Sequence, residues 1–287
     1  MAHSEVFRTT KGTLYLKAPK VVCIAKPQLI SLEDDDMLAP FFNGFDPILG
    51  FGNYLKDLRA FPQEDADALC KFAGQTCYAS FGDKRTPHTE EGNAKYFKNI
   101  KESSHGSICE HANFSFFMYG LSRSLTHELI RHRAGWAYSQ LSQRYVDGKM
   151  LRFVETEKYQ NDYALHRMFE DWIDLSAGQY QLRQGRMLLM KNPDDISRDT
   201  RKAINQEARR CLPNETETFL VGTANARAIR HVLEMRGSTH ADDEIRRWAL
   251  ALHKEVKHVS DNLFSDYEVR VDEATGKQYL HTDYKKV

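Results

Sequence analysis

The chain of 287 residues carries no net charge, because 40 lysines and arginines balance 40 aspartates and glutamates. A protein that coats DNA or RNA needs a clear basic excess, so this balance argues against a general nucleic-acid-binding function. No apolar run approaches the roughly 20 residues needed to cross a bilayer. The N-terminus lacks the basic start and apolar stretch of a signal peptide. We therefore expect a cytoplasmic protein that makes no membrane contact.

Five cysteines are scattered along the chain, and no two of them form a C-x-x-C pair. Such a set predicts a reducing compartment rather than a disulfide framework. With only 8 prolines and 16 glycines, the chain has no Pro/Gly/Ser-rich linker and no internal repeat. We therefore expect residues 1–287 to form a single domain. The absence of G-x-G-x-x-G argues against a Rossmann dinucleotide-binding unit, and H-E-x-x-H of the zinc enzymes is absent as well.

The hydrophobic pattern is mainly helical. Helices are predicted over 64–78, 124–133, 162–190, 196–211, 225–235 and 242–263. Strands are predicted at 13–25 with a break at Pro19, at 112–119, at 219–223 (or a buried helical turn there), and in a hairpin around Gly276. This mixture predicts an α+β fold class: a helix-rich single domain with a mainly antiparallel sheet.

Two further stretches carry structural expectations. In the helix predicted at 162–190, Leu165, Met168, Phe169 and Trp172 recur at spacings of three and four. An apolar stripe of this kind is typical of a helix face packed into the core. The acidic run at 33–36 is interpreted as a solvated loop or a helix start.

One segment, residues 131–145, concentrates the polar groups from which binding sites are built. It contains three arginines, a histidine, two serines and two glutamines, and no acidic residue. Arginine presents a planar fork of donors suited to phosphate or to ring carbonyls, and serine and glutamine add neutral donors. Because the preceding helix is predicted to end near Arg133, we expect an irregular ligand-binding loop after it. The alternative is a solvated basic helix end.

The same segment resembles the signature of the flavin-dependent thymidylate synthases (the ThyX family). That signature is R-H-R, seven residues, then serine. Here Arg131-His132-Arg133 is followed by eight residues before Ser142, so we place one extra residue within 134–137.

Other motifs of the family follow in the same order along the chain. The run from His105-Gly-Ser107 through Glu110-His111 to 114–116 is similar to the family's H-G-[ST]…E-H…F-[ST]-F segment. Arg209 followed by Leu-Pro, and the spacing of Asn225, Arg227, His231 and Arg236, also match. The resemblance covers residues 105–250, about half of the chain.

The resemblance implies an enzyme, a methyltransferase that converts dUMP to dTMP by reductive methylation at C5. It implies FAD as cofactor, with NADPH and 5,10-methylenetetrahydrofolate as co-substrates. It further implies a homotetramer whose sites combine several subunits. In such chemistry the flavin carries the electrons, while the protein binds, orients and provides electrostatic stabilisation.

The resemblance also assigns residues. The nucleotide would be bound by positions in the arginine-rich segment and downstream of it: Glu128, Arg131, Gln140, Ser142, Gln143, Arg144, Arg209 and Arg236. Arg236 and Ser142 are the candidate catalytic residues. Ser142 is a nucleophile by type, but no base lies at a diagnostic spacing, so donation of its hydroxyl to the substrate is the preferred role. Glu128 could instead form a helix ion pair with Arg131.

The flavin would be bound by the R-H-R triplet together with positions on either side of it: His105, Ser107, Arg131, His132, Arg133, Gln140, Asn225, Arg227 and His231. A cation near the N1–C2=O edge of a flavin stabilises the anionic reduced form. The classical thymidylate synthase depends on a cysteine, and none of the five cysteines lies in a nucleophile signature.

Three other functions remain open at this stage. A metalloenzyme could use the histidines and glutamates crowded into residues 105–132, although no metal-binding motif is present. An RNA- or DNA-binding module could stack bases on Trp136 and Tyr138, against which the neutral net charge argues. A flavin-dependent methylase of UMP or another pyrimidine nucleotide would share all the motifs above.

The neutral total hides two basic segments. Residues 121–149 carry five basic groups against two acidic ones, and residues 201–240 carry seven against four. We expect the fold to bring these segments together where small phosphate-bearing ligands bind.

Overall fold

The computed structural model describes residues 5–30, 45, 50–148 and 151–287. The strands are β1 (Phe7–Arg8), β2 (Leu14–Leu16), β3 (Lys20–Ala25), β4 (Asn113–Ser122), β5 (Trp136–Gln140), β6 (Phe153–Val154), β7 (Glu217–Asn225), β8 (Glu268–Val271) and β9 (Gln278–His281). The helices are α1 (Phe51–Ala60), α2 (Asp65–Cys77), α3 (Glu90–Glu102), α4 (Arg123–Leu129), α5 (Glu157–Gln160), α6 (Tyr163–Leu189), α7 (Arg198–Ala208), α8 (Ala226–Arg236), α9 (Asp243–Val259) and α10 (Asp261–Phe264).

A four-stranded antiparallel sheet forms the centre of the fold, with the strand order β3-β4-β7-β5. Side chains of a strand alternate between the two faces of a sheet. On the inner face Phe114, Phe116 and Met118 of β4 are buried in the main core, which also contains Trp248 of α9. On the outer face Phe117 and Phe219 remain 36% and 38% exposed. One face of the sheet therefore packs against helices, and the other shows aromatic side chains to solvent.

Two strand-to-helix junctions position the central helices. Strand β4 leads directly into α4, whose N-cap Ser122 accepts a hydrogen bond from the Leu125 backbone N–H. Strand β7 leads directly into α8, capped in the same way by Asn225 and the Ala228 N–H at 2.8 Å. Such caps satisfy amide groups that a helix start would otherwise leave unpaired. Because β4 and β7 are paired from Asn113–Asn225 to Ser122–Glu217, with one register shift between Met118 and Leu121, the sheet fixes the positions of both helices.

Smaller clusters surround this centre. The sheet β1-β2-β6 packs through Tyr15 and Phe153 against Phe169 and Ile173 of α6. Helices α1 and α2 form an N-terminal cluster that includes Tyr54 and Phe81. The C-terminal hairpin β8–β9 turns at Gly276, which has a φ of +68°. Among the described residues, no helix combines the length and the apolar character needed to cross a membrane.

A buried ion cluster ties α8 to the end of the chain. Arg230 of α8 makes two bonds to the Asp266 carboxylate, at 2.7 and 2.9 Å, and the Lys101 ammonium lies 2.9 Å from the same carboxylate. Their side chains are only 2%, 6% and 7% exposed. The Thr282 hydroxyl donates to Asp266, and Arg230 donates to the Tyr284 carbonyl. These charge-assisted hydrogen bonds attach residues 282–284 to the cluster.

Most of the sequence-based element predictions are confirmed. The α+β class with an antiparallel sheet is confirmed, as are the break at Pro19, the strand alternative at 219–223 and the C-terminal hairpin. The predicted helix 242–263 is interrupted at Ser260, and the helix expected at 124–133 ends at Leu129. The acidic run 33–36 lies outside the described residues.

Two predictions were wrong. The stretch after Gly135 is not an irregular loop: residues 136–140 form edge strand β5, because Trp136 and Tyr138 alternate against β7 and pack on the core. The stripe of α6 is not mainly core, since Met168 and Trp172 are 66% and 46% exposed while Phe169 is buried. The stripe and the buried residues lie on neighbouring faces of one helix. Periodicity alone cannot tell which of these two faces packs on the core.

Candidate functional site

An ion pair joins the two helices that follow β4 and β7. Arg236, the last residue of α8, lies 2.6 Å from the Glu128 carboxylate of α4. Its Nε–H donates to His132 Nε2 at 2.9 Å. The helix ion pair considered for Glu128 and Arg131 is therefore replaced by a contact across 108 residues of sequence. The candidate catalytic arginine and the middle of the R-H-R triplet are thus held together.

The geometry settles which nitrogen of His132 carries the proton. Because Nε2 accepts from an arginine, which has no lone pair to offer, the proton of the neutral ring is on Nδ1. Burial, the neighbouring Arg236 and the His231 ring lower the pKa of His132 to about 4. The His231 ring centroid lies 5.7 Å away. At neutral pH the His132 ring is therefore uncharged. It accepts a hydrogen bond from Arg236, and the charged Arg131 and Arg133 flank it in sequence.

Beside this pair lies a cavity of about 410 Å³ lined by Gly135, Asn225, Arg227 and His231. Gly135 has a φ of +72°, and a Cβ built there would come within 2.7 Å of the Ala228 Cβ. Only glycine adopts this backbone conformation without strain while allowing so close an approach. The Asn225 N–H also donates to the Gly135 carbonyl.

The far wall of the cavity consists of residues from the turn at 106–110, from α8 and from the C-terminal segment. Glu110, Lys286 and Val287 line it, and Arg227 forms a 2.5 Å ion pair with Glu110. A Cβ on Gly106 would meet Val287 at 2.6 Å. His105 and Ser107 flank that glycine and are exposed. Neither lines the cavity, although both belong to the turn that forms its edge.

Arg131 and Arg133 are exposed on either side of the half-buried His132. Neither forms an ion pair with a carboxylate of the described residues. The Tyr138 hydroxyl donates to the Leu129 and His132 carbonyls, which holds the turn after α4 in place. None of the three residues of the triplet lines the cavity. Its own lining supplies the Arg227 and Lys286 cations, the His231 ring, the Asn225 amide and backbone groups, a set that fits an electron-poor ring with carbonyl oxygens.

Gln140, the last residue of β5, and the residues that follow it form a second group. The Gln140 amide donates to the hydroxyls of Thr126 and Thr218. Ser142 begins a turn: its hydroxyl accepts from the Arg144 N–H, and its carbonyl accepts from the N–H groups of Tyr145 and Val146. Gln143 is buried. No histidine or carboxylate of the described residues is hydrogen-bonded to Ser142, so nothing there activates it as a nucleophile.

Arg209 lies in the short 3-10 turn after α7, close to Arg123, a cation that the sequence analysis did not select. The Arg123 guanidinium donates to the Leu141 carbonyl, at the start of the Ser142 turn. Its backbone N–H bonds the Thr216 carbonyl, on the segment that follows Arg209. Burial and then the nearby Arg209 lower the pKa of Arg123. Sequence spacing could not have identified Arg123, because its proximity to Arg209 depends on the pairing of β4 with β7.

The sequence-predicted residues therefore fall into two groups. Glu128, His132 and Arg236 are bonded together beside the cavity, whereas Arg144 and Arg209 lie near α7. In the described part of the chain no hydrogen bond or ion pair joins these two groups. Among the described residues there is also no cluster of three histidine, cysteine or acidic side chains placed to hold one metal ion.

The chain matches proteins of known family over most of its length. The family model described as "Thymidylate synthase complementing protein" matches residues 60–260. A flavin-dependent thymidylate synthase of a Mycobacterium species (strain JLS) is 44% identical over 72% of this chain and 82% of the relative. The enzyme of the same name from Mycobacterium tuberculosis is 43% identical over 71% of this chain and 82% of its own.

Solved structures share the fold at lower identity. A UMP/dUMP methylase, PolB from Streptomyces cacaoi, has a TM-score of 0.57 at 17% identity, covering 87% of this chain and 94% of its own. ThyX from Helicobacter pylori, solved with FAD and dUMP, has a TM-score of 0.50 at 19% identity, with 86% and 98% covered. From the family model and the identities above 40%, we conclude that this chain belongs to the flavin-dependent thymidylate synthase family.

Proposed function

We propose that this protein methylates dUMP at C5 to give dTMP, taking the carbon from 5,10-methylenetetrahydrofolate and the electrons from NADPH through FAD. The observation that carries the proposal is the contact of Arg236 with Glu128 and His132. These residues come from two motifs of the family that lie 104 to 108 residues apart in sequence, and they meet beside a cavity lined by further positions of those motifs. Family membership supports the same reaction.

The cavity residues fit the flavin. Asn225, Arg227 and His231 would hold it along α8, with Arg131, His132 and Arg133 opposite. The bound flavin supplies the electron transfer. The protein residues orient it, and the two exposed arginines of the triplet stabilise negative charge on its carbonyl edge. Arg227 must release Glu110 to reach an anionic ligand. We place His105, Ser107 and Gln140 at the border of the same site.

Arg209 and Arg123 would hold the nucleotide phosphate. Arg123 has no carboxylate partner within the described ranges, and Arg209 lies beside it. Neighbouring guanidinium groups without a carboxylate repel each other, and a dianionic phosphate removes that cost through charge-assisted hydrogen bonds. Ser142, Gln143 and Arg144, in the turn that Arg123 touches, would surround the sugar and base. Glu128 and Arg236 would approach the uracil.

We also propose that the protein is a homotetramer with shared sites. The separation of the two residue groups within one chain supports this. The stripe on α6 supports it too: Met168, Trp172, Leu175, Leu182 and Leu189 are between 46% and 81% exposed. Successive positions are four, three, seven and seven residues apart, which keeps them on one side of the helix, as in helices that pair side by side. Monomeric soluble proteins rarely expose continuous apolar patches of this kind.

The tetramer can be tested in solution. A Trp172→Glu/Leu182→Glu variant should sediment as a smaller species than the wild type, because two charges would be buried at the interface. Gln181→Glu, an exposed change beside the stripe, serves as control. Equal sedimentation of all three proteins would remove the α6 stripe from the interface.

The reaction is tested by tritium release from C5-labelled dUMP in the presence of NADPH and methylenetetrahydrofolate. The purified protein should be yellow, and it should release tritium only when all components are present. Colourless protein that acquires no flavin absorption with added FAD would overturn the proposal. A parallel reaction with labelled UMP shows whether the enzyme prefers the ribose or the deoxyribose nucleotide. Faster tritium release from UMP would make UMP the substrate.

A further inference from the structure

A cavity of about 870 Å³ lies between α5, α9 and the C-terminal hairpin β8–β9. It is lined by residues of α5, of the first turns of α9 and of the hairpin turn. No residue that we assign to the flavin or to the substrate nucleotide is among them. Its volume lies within the range of small-molecule sites, about 300–1,000 Å³. The cavity is therefore a ligand-sized space apart from the site described above.

The ionic groups of this cavity leave a positive surplus. Four cations and two carboxylates line it, a difference of two charges: Lys158, Arg246, Arg247, Lys277, Glu157 and Asp243. Asp243 lies 2.5 Å from the Lys277 ammonium and also accepts a hydrogen bond from Arg246. Burial raises the pKa of Asp243, but the hydrogen bonds from Lys277 and Arg246 outweigh it and lower the pKa overall. Asp243 therefore stays ionised and is already occupied by two of the four cations.

The other two cations carry the surplus. Arg247 is half-buried and donates to the Lys17 carbonyl at 3.2 Å, with no carboxylate of the described residues within salt-bridge distance. Lys158 is exposed, and in the described part of the chain its ammonium also lacks a carboxylate partner. Asp272 does not line the cavity, and its carboxylate accepts hydrogen bonds from Thr275. Cations held without neutralisation around a concave surface attract a small anion.

The neutral part of the lining suits a ring as well as an anion. Asn161 and Gln278 present carboxamides whose side chains form no hydrogen bond within the described residues. A carboxamide offers both donors and an acceptor, as the edge of a nucleobase does. Leu250 and Val271 add apolar surface, and Val271 is 57% exposed. Unused amides and apolar side chains thus lie around the same space as the surplus cations.

We propose that this cavity is a second ligand site, which binds a nucleoside monophosphate. A phosphate monoester carries about −1.5 to −2 charges at neutral pH, which matches the surplus of two. A nucleoside without phosphate would leave that surplus uncompensated, and a triphosphate would exceed it. The carboxamides would contact the edge of the base, and the apolar side chains its face. The inference goes beyond the proposed function and does not depend on it, because the two sites share no residue.

The test compares Lys158→Gln/Arg247→Gln with Lys254→Gln/Lys257→Gln. The control removes the same charge from exposed positions of α9 that do not line the cavity. Titration calorimetry with AMP, GMP, CMP and dTMP measures the Kd. At least one of these nucleotides should bind the wild type and the control equally, and the cavity variant at least about tenfold more weakly.

Two single variants on α5 complete the test without touching a buried group. Lys158→Glu should weaken binding of the same nucleotide, and Glu157→Gln should tighten it, because the two changes alter the local charge in opposite directions. Circular dichroism should show both variants folded as the wild type, since both residues are exposed.

Two results would overturn the proposal. The first is that no monophosphate binds more weakly to the cavity variant than to the control. The second is that ribose 5-phosphate or inorganic phosphate binds as tightly as the nucleotides, which would make the cavity a simple anion site. A wild-type protein that binds no FAD would instead refute the proposed function, and it would leave the comparison of the cavity variants unaffected.

Discussion

Replacing Asp266 with asparagine should strongly destabilise the fold. The substitution keeps the size of the side chain and removes the only carboxylate that Arg230 and Lys101 contact in the described part of the chain. Two cations that are 2% and 7% exposed would then remain without a counter-ion. Breaking a buried ion pair in this way costs about 3–5 kcal/mol. The Leu263 and Tyr284 carbonyls still accept from Arg230, and Ser265 still accepts from Lys101. We therefore expect the lower end, about 3 kcal/mol.

The measurement is urea unfolding followed by circular dichroism, with thermal melting as a second readout. At about 2–4 °C per kcal/mol, the expected fall in Tm is roughly 6–12 °C. Asp283→Asn is the control, because Asp283 lies in the same segment, its side chain is 85% exposed, and its one ion pair within the described residues is with His281. An exposed ion pair contributes about 0–1 kcal/mol, so the control should barely change. Equal losses in the two variants would show that the cluster does not stabilise the fold.

The pH dependence gives a second check on the same cluster. Hydrogen bonds and charge from Arg230, together with Lys101, hold the folded-state pKa of Asp266 well below the usual value despite its burial. A depressed carboxyl pKa contributes stability above the unfolded-state pKa near 3.9 and loses it as the pH falls further. The difference in unfolding free energy between wild type and Asp266→Asn should therefore be constant above about pH 5 and shrink below pH 4. A difference that grew on acidification would refute the reasoning.

Three other predictions concern the site. Arg123→Gln should weaken dUMP binding at least tenfold, about 1.4 kcal/mol, and leave deoxyuridine binding unchanged in calorimetry; equal effects on both ligands would exclude a phosphate contact. Gly135→Ala should cost about 1–3 kcal/mol of stability and exceed Gly276→Ala, which shares the positive φ but meets nothing within 4 Å; equal melting temperatures would contradict the close approach. Because burial lowers the folded pKa of His132 to about 4, the unfolded chain takes up a proton first as the pH falls from about 6.5. Stability should drop over that range in the wild type and less in His132→Gln, as measured by urea unfolding.

The sequence predicted the elements that repeat a local pattern and missed those that depend on distant partners. The long α6 follows from its spacing within one residue at each end. The amphipathic α9 starts within one residue of the predicted helix but ends at Val259, four residues before the predicted end. Strand β5 was missed because serine, glutamine and glycine suggested a loop, whereas its pairing with β7 is a contact across some 80 residues. Helices α1 and α3 were not predicted at all. Their polar and glycine-containing sequences give a weak local signal, and tertiary packing of Tyr54 and Phe97 stabilises them.

For the site, the sequence identified residue types but not their contacts. Arg236 and His132 could be selected from motif spacing, yet nothing in that spacing shows that one donates to the other. Arg123 and the cations of the cavity beside α9 were not selected, since each depends on the approach of a separate segment. The exposed stripe of α6 was assigned to the core because periodicity identifies the apolar face of a helix. It does not show whether that face packs against the rest of the same chain.

Asn225 closes the ladder between β4 and β7, caps α8 through its side chain, and donates its backbone N–H to Gly135 while lining the cavity. A single position thus takes part in the sheet, the helix start and the wall of the cavity. Loss of flavin binding on its substitution would not identify a lost ligand contact, because the same change moves the start of the helix that carries Arg227 and His231. Aspartate, which caps a helix equally well, separates the two contributions: it preserves the fold at this position and alters only the chemistry presented to the ligand.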